Sequence, residues 1–127
     1  MVMKARIMVV DDEADIRLVV RACLERAGYE VSEASSAAAL RQSFAAPAPD
    51  VVVLDLQLSD GDGLALLPEL KQQWPRARVI ILTGYGTVDA ASKAYAVDDV
   101  YFESKPFDPE TLNALVCLAL SERKARP

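Results

Sequence analysis

The sequence predicts an α/β protein in which a parallel sheet carries helices on both faces. Five short apolar segments alternate along the chain with five segments of helical periodicity, which is the pattern of repeated strand–helix units. The segment V-V-V-L at 51–54 is apolar at every position, as expected for a strand buried on both faces. The chain has 127 residues, 52% of them hydrophobic, which suffices for one domain with its own core.

The five predicted strands are apolar runs bounded by polar or turn-forming residues. They lie at residues 7–10, 29–34, 51–56, 78–82 and 100–103. Because the strands are expected to run parallel, their carboxyl ends should meet at one edge of the sheet. Open sheets of this kind bind ligands at that edge.

The five predicted helices are recognised by their periodicity and by their end signals. They lie at residues 15–27, 36–46, 64–74, 87–96 and 108–120. The first should end at Gly28, since glycine favours the turn that closes a helix. The last begins with Asp108-Pro109-Glu110, which supplies a cap, a proline and an acid where a helix start favours them. Residues 121–127 are charged and are expected to fray.

Composition excludes several classes of function. The net charge of −5 argues against a general affinity for nucleic acid, and no segment is long and apolar enough to cross a membrane. Residues 1–6 do not open a secretory signal. The two cysteines, Cys23 and Cys117, fit a reduced cytoplasmic protein, and their apolar helical surroundings predict that both lie in the core. The chain contains no histidine, so any histidine chemistry must come from a partner.

Polar side chains collect at the carboxyl ends of the predicted strands: Asp11, Asp12, Asp55, Thr83 and Lys105. Taken singly, each has a structural explanation. The first two acids could cap the following helix, the threonine suits a strand, and the lysine could be a solvated surface residue. A lone buried acid inside V-V-V-L-D-L is costly, however, and no helix starts beside it. Their coincidence at one sheet edge therefore predicts a site.

Electrostatics indicates the kind of site. Two carboxylates about 4 Å apart repel by roughly 4 kcal/mol at an effective dielectric constant near 20, so three acids need a cation. Carboxylate oxygens favour Mg²⁺, which phosphate oxygens often help to coordinate. Lys105 and Thr83 suit a phosphoryl group, so the set indicates phosphoryl transfer. Asp55, central and flanked by apolar residues, is the best candidate for the nucleophile.

Four separated motifs match a known family. They are M-V-V-D-D-E at 8–13, V-V-V-L-D-L-Q-L-S-D-G-D-G-L at 51–64, V-I-I-L-T-G-Y-G at 79–86 and K-P-F-D at 105–108. The chain resembles the CheY-like receiver domain of two-component response regulators over residues 4–121, with 122–127 as a charged tail or the start of a linker. The resemblance implies a flavodoxin-like (βα)5 fold with strand order 2-1-3-4-5.

The resemblance also implies roles for the residues at the strand ends. Asp55 would accept a phosphoryl group from a histidine of a sensor kinase or of a histidine phosphotransfer protein. Asp12, Asp55 and the backbone carbonyl of Gln57 would bind Mg²⁺, and Asp11 would act largely through metal-bound water. Lys105 would contact the phosphoryl group.

A conformational switch is implied as well. Thr83 would move toward the phosphoryl group, and an aromatic side chain of the last strand would rotate inward. Counting back from the lysine makes this aromatic Phe102, whereas the family's aromatic-apolar-x-Lys pattern with one inserted residue makes it Tyr101; we prefer Phe102. Gln57 and Tyr85 occupy positions where the family tunes dephosphorylation.

The family's output surface, formed by the fourth helix, fifth strand and fifth helix, corresponds to residues 87–120. It would control a partner or output domain, and it is the surface expected for any homodimer. The chain departs from the family pattern at this surface and in the turn after Asp55. Ser59 replaces the usual proline, Asp98-Asp99 replaces a Gly-Ala pair, and Glu103 replaces an apolar residue.

Two alternatives compete with a phosphorylated receiver. A degenerate receiver would act as a protein-binding module without phosphorylation, and a Mg²⁺-dependent change of Trp74 fluorescence would argue against it. A haloacid-dehalogenase-like phosphatase would also use an aspartyl phosphate, but it needs D-x-D on its first strand, where this chain has adjacent Asp11-Asp12. We expect no enzyme activity beyond the chain's own phosphorylation and dephosphorylation.

Overall fold

The fold is an open sheet with helices on both faces. The structure, a computed structural model, describes residues 4–84 and 100–125. Its strands are β1 (Arg6–Val10), β2 (Glu30–Ala34), β3 (Val51–Leu54), β4 (Gln57–Leu58), β5 (Gly61–Asp62), β6 (Arg78–Gly84) and β7 (Val100–Lys105). Its helices are α1 (Ala14–Arg26), α2 (Ala37–Ser43), α3 (Gly63–Gln73) and α4 (Pro109–Ala125). The predicted helix at 87–96 lies outside the described residues.

The main sheet has five parallel strands in the order β2-β1-β3-β6-β7. Leaving out the short antiparallel pair β4–β5, this is the predicted order 2-1-3-4-5. The flavodoxin-like prediction is therefore confirmed. In this order β1 and β3 are central neighbours, so the residues that follow them are brought together at the carboxyl edge.

Alternate residues of the central strands enter two separate cores. One core lies under α2 and α3 and contains Met8, Val52, Leu54, Val79 and Ile81 from the sheet. The other lies under α1 and α4 and contains Ile7, Val9, Val53, Ile80 and Leu82. The helices thus cover both faces, which confirms the double layer and keeps the central strands rigid beneath the edge that they support.

Some element ends differ from the prediction. Helix α2 spans seven residues and ends before the prolines, with Ser36 as its N-cap accepting a hydrogen bond from Ala39 N–H. Helix α4 continues to Ala125, beyond the predicted end near residue 120. The segment S-E-R-K-A holds no glycine or proline, and its basic residues favour a helix carboxyl terminus, so nothing in it ends the helix. Gly28, with φ of 97°, follows α1 as predicted.

The prediction that both cysteines lie in the core is wrong. Cys117 is exposed and Cys23 is half-buried, and both are free thiols. Up to residue 121, the buried positions of α4 are Leu112, Val116 and Ala119, and Cys117 lies about 100° around the helix from Val116. Within residues 4–84 and 100–125, no helix combines the length and apolar composition that a membrane crossing requires.

Candidate functional site

Four of the predicted side chains meet at the carboxyl edge of the sheet. Asp11 and Asp12 follow β1, Asp55 follows β3, and Lys105 ends β7. Asp11 and Asp55 are 2% and 4% exposed, while Asp12 is half-buried. Since ionised carboxyl groups are almost never buried without partners, this edge requires compensating cations.

The main-chain ladder holds the two buried acids in place. Asp11 N–H donates to the carbonyl of Ala34 at 3.1 Å, and Asp55 N–H donates to the carbonyl of Val10 at 2.9 Å. These bonds extend the pairing of β1 with β2 and of β3 with β1 by one residue. The Cα positions of both acids are therefore fixed by the rigid centre of the sheet.

Lys105 bridges the two buried acids. Its Nζ lies 2.7 Å from Asp11 Oδ2 and 3.1 Å from Asp55 Oδ2, and its side chain is 17% exposed. The second oxygen of each acid accepts a backbone N–H two residues on, from Glu13 at 2.9 Å and from Gln57 at 3.0 Å. Both carboxylates are therefore held in defined orientations. Neither acts as the N-cap residue of a helix, since α1 has Glu13 at that position and no helix begins directly after Asp55.

The pKa shifts follow from this packing. Burial raises the pKa of Asp11 above its ordinary value, the charge of Asp55 adds to the rise, and the hydrogen bonds from Lys105 and Glu13 oppose it. Burial alone would lower the pKa of Lys105, but its hydrogen bonds and charge attraction to Asp11 and Asp55 outweigh burial and raise it. Lys105 is therefore an ammonium at neutral pH.

The acidic cluster fits a hard divalent cation. One carboxylate oxygen from each of Asp11, Asp12 and Asp55 lies within 4.8 Å of the others. When all three acids are ionised, one ammonium leaves two negative charges uncompensated among these four side chains. Oxygen ligands with this spacing and charge are those that Mg²⁺ uses.

Of the remaining predicted site residues, the structure describes Gln57 and the backbone of Thr83. Gln57 lies beside the end of β6: a Cβ at Gly84 would be 3.9 Å from Gln57 Oε1. Thr83 belongs to β6 and pairs with Ser104, while its side chain is outside the described part of the chain. Tyr85 also lies outside it.

The two candidate switch aromatics occupy opposite faces of the sheet. Phe102 packs against the core under α2 and α3, whereas Tyr101 packs against the core under α1 and α4. Both are half-buried. Glu103, also half-buried, accepts a hydrogen bond from the N–H of Ser104 at 3.0 Å.

Sequence reasoning missed how the loop after Asp55 is secured. Asp60, in the turn between β4 and β5, accepts hydrogen bonds from Ala37 N–H at 2.8 Å and Ala38 N–H at 3.0 Å, so it caps α2 from 23 residues away. Asp62 caps α3 by accepting from Leu64 N–H at 2.9 Å. The Asp62 cap has a local signal, an Asp just before a helix, but the Asp60 cap has none.

The comparisons with known proteins identify the family. The family model of the response regulator receiver domain matches residues 7–117. The DNA-binding transcriptional regulator NtrC of Rhizobium meliloti is 38% identical over 123 residues, and the alginate biosynthesis transcriptional regulatory protein AlgB of Pseudomonas aeruginosa is 36% identical over 121 residues. These alignments cover 97% and 95% of this chain but 25% and 27% of the relatives.

Solved structures of receiver-containing proteins share this fold. NtrX from Brucella abortus superposes with a TM-score of 0.88 at 37% identity, covering 97% of this chain and 28% of that one. A CheY-like receiver domain protein from Methanospirillum hungatei superposes with a TM-score of 0.87 at 26% identity, covering 97% of this chain and 98% of that one. The chain spans about a quarter of the length of the curated relatives, and it belongs to the response regulator receiver domains of two-component signal transduction.

Proposed function

We propose that this receiver domain is a phosphorylation-dependent switch in which Asp55 accepts the phosphoryl group. The observation that carries the proposal is the burial of Asp55 at the carboxyl end of a central strand, 3.1 Å from the Lys105 ammonium. Two further carboxylates adjoin it within 4.8 Å. No other described group combines a nucleophile, a cation and a cluster fit for a metal.

The donor would be a phosphorylated histidine of a sensor kinase or of a histidine phosphotransfer protein, the donors used by two-component receivers. This chain contains no histidine, so that histidine lies on a partner. A carboxylate oxygen of Asp55 attacks phosphorus, an O–P bond forms, and the P–N bond to the histidine breaks. The product is an aspartyl phosphate, and the histidine nitrogen keeps the electron pair of the broken bond. The reaction turns over only this domain's own phosphoryl group. We place it in the cytoplasm, in keeping with the free thiols.

Asp11, Asp12, Asp55 and the backbone carbonyl of Gln57 would hold Mg²⁺, with Asp11 contributing largely through bound water. The ion supplies charge neutralisation for the phosphoryl oxygens. Lys105, already held between Asp11 and Asp55, supplies a second positive charge beside the reacting oxygen. The protein's contribution is thus positioning and neutralisation, as phosphoryl transfer requires.

The signal would pass through Thr83 and Phe102 to the surface at residues 87–120. Phe102 is favoured over Tyr101 because it packs on the α2–α3 face, with Ile81 of β6 in the same core. Thr83 follows Ile81 by two residues in that strand. That surface would act on a partner, an output domain or a second copy of the chain, and we assign no nucleic acid contact to this domain. Gln57 and Tyr85 would tune dephosphorylation.

The test is the intact mass after incubation with acetyl phosphate and Mg²⁺, for the native chain and for Asp55→Asn. We expect the native chain to gain one phosphoryl mass that depends on Mg²⁺ and is labile to hydroxylamine, and the variant to gain none. A native chain that gains no mass, and that beryllofluoride does not bind, would instead support an unphosphorylated protein-binding module.

A further inference from the structure

Arg17, on α1, bridges two elements behind the acidic cluster. Its Nη1 donates to the backbone carbonyl of Asp11 at 2.7 Å, and its Nε donates to Glu33 Oε1 at 3.1 Å. The side chain is 18% exposed. The largely buried guanidinium of Arg17 therefore contacts the main chain of the loop that carries Asp11 and Asp12.

The carbonyl that Arg17 binds belongs to the peptide unit joining Asp11 to Asp12. Because a peptide unit is planar, fixing its C=O also fixes the direction in which the Asp12 nitrogen and Cα leave. The preceding N–H of Asp11 is already held by the carbonyl of Ala34 at 3.1 Å. Both backbone polar groups of Asp11 are thus held in place, and with them the position of the Asp12 backbone nitrogen and Cα.

Glu33 anchors the arginine to the edge strand. It adjoins Ala34 on β2, and its second oxygen accepts Arg21 Nη1 at 2.6 Å. Each carboxylate oxygen of Glu33 thus meets a different arginine, and Arg17 is the one that also donates to the Asp11 carbonyl. The planar guanidinium of Arg17 can then serve the Glu33 carboxylate and the Asp11 carbonyl at once, which the compact ammonium of a lysine would do less well.

We propose that Arg17 is a positioning residue that sets the Asp11–Asp12 peptide for Mg²⁺ binding, and that Glu33 orients Arg17. The inference rests on the proposed function, because it takes the acidic cluster to be the Mg²⁺ site. Groups that hold metal ligands in place typically change metal affinity by about 10–100-fold when they are removed.

Charge and positioning predict opposite effects of losing Arg17. Removing a positive charge near three carboxylates would, by electrostatics alone, tighten the binding of a cation. Losing the bond to the Asp11 carbonyl would free the Asp11–Asp12 peptide and weaken the binding of the cation. A lower Mg²⁺ dissociation constant in the variant would therefore indicate the electrostatic effect, and a higher one the positioning effect.

The experiment is isothermal titration of the native chain, Arg17→Ala and Arg21→Ala with Mg²⁺ alone. Arg21 is the matched control, because it lies on the same helix and binds the same Glu33. We expect the dissociation constant to rise by about tenfold in Arg17→Ala and to stay within about twofold of native in Arg21→Ala. At saturating Mg²⁺, Arg17→Ala should be phosphorylated by acetyl phosphate at the native rate, since Asp55 and Lys105 are unchanged.

Unchanged or tighter Mg²⁺ binding in a folded Arg17→Ala would overturn the positioning role, as would an equal loss in Arg21→Ala. Should Arg17→Ala fail to fold, Arg17→Lys keeps the charge and the apolar stem, and native affinity in that variant would overturn the proposal. A native chain that binds no Mg²⁺ would refute the metal site itself, which is the failure of the proposed function and is distinguishable from the others.

Discussion

At the carboxyl edge, Lys105 supplies the positive charge that lies against the two buried acids. It lies 2.7 Å and 3.1 Å from two acids that are almost fully buried. A cation so placed offsets the cost of burying two carboxylates, and its removal leaves their charges uncompensated. Mg²⁺ at the same cluster would share this task, so the two cations should be partly interchangeable in their effect on stability.

We therefore expect Lys105→Met to lower the free energy of unfolding by about 2–3 kcal/mol without Mg²⁺, below the loss typical of a fully buried pair because Lys105 retains some solvent contact. Saturating Mg²⁺ should recover more stability in this variant than it adds to the native chain. Urea unfolding with and without Mg²⁺ measures both. Lys71→Met is the control, because Lys71 binds the carbonyls of Pro75 and Ala77, which precede β6 at the amino edge of the sheet. Equal Mg²⁺ increments in native and Lys105→Met would contradict the argument.

Gly63, the first residue of α3, packs its backbone directly against the loop that follows Asp55. A Cβ at Gly63 would lie 2.6 Å from Leu56 Cα and 2.7 Å from the carbonyl oxygen of Asp55, so a larger residue must displace backbone. We expect Gly63→Ala to lower the free energy of unfolding by about 1–3 kcal/mol and to slow phosphorylation by acetyl phosphate.

Gly61→Ala is the matched control for that substitution. Its Cβ would meet Ala37 Cβ at 3.5 Å, an ordinary contact, so its stability and phosphorylation rate should stay close to native. A Gly63→Ala chain that matches Gly61→Ala in both measurements would mean that the loop accommodates the methyl group without moving Asp55.

At the scale of elements, the hairpin β4–β5 ties the loop after Asp55 to α2. Two backbone N–H groups of α2, from Ala37 and Ala38, donate to Asp60 and hold its pKa below the ordinary 3.8. A carboxyl group with a lowered pKa stabilises the fold above its unfolded pKa, and that contribution disappears as the pH falls through the folded value.

We expect Asp60→Ala to be less stable than the native chain near neutral pH, with the gap closing as the pH falls below 3.8. Asp60→Asn keeps one oxygen acceptor but cannot titrate, so its difference from Asp60→Ala should not vary with pH over that range. Urea midpoints of the three chains across an acid series provide the comparison. A native–alanine gap that persists at the lowest pH would show that the ionised carboxylate is not what caps α2.

The elements were predictable where their signals are local. Asp108-Pro109 fixes the start of α4 and Gly28 follows the end of α1, and both were found in the sequence. The end of α4 was missed because the residues after 120 neither stop a helix nor show a periodic apolar face. The β4–β5 pair was not predicted, since two-residue strands are too short to show alternation.

At the scale of the whole molecule, the alternation of strands and helices in the sequence predicted the parallel sheet. The residues at the carboxyl edge were then predicted from the positions where the strands end. The contacts within the edge were not predictable in the same way. The bond from Lys105 to Asp11 spans 94 residues and that from Arg17 to Glu33 spans 16, and neither pairing has a local pattern. Sequence therefore identified side chains that meet at this edge, while the contacts that hold them emerge only from the packed sheet.

The two edges of the sheet are separate environments, which bears on how metal binding can be observed. Trp74 follows α3 and precedes β6, so it lies at the amino edge, opposite the acids. It is 3% exposed and packs edge-on against Phe44, with ring centroids 5.0 Å apart. We therefore expect Mg²⁺ to leave Trp74 fluorescence nearly unchanged while calorimetry records binding, contrary to the use of this residue as a reporter that the sequence suggested. A large emission change that Asp12→Ala abolishes would mean that the carboxyl edge is coupled through the α2–α3 core to the amino edge.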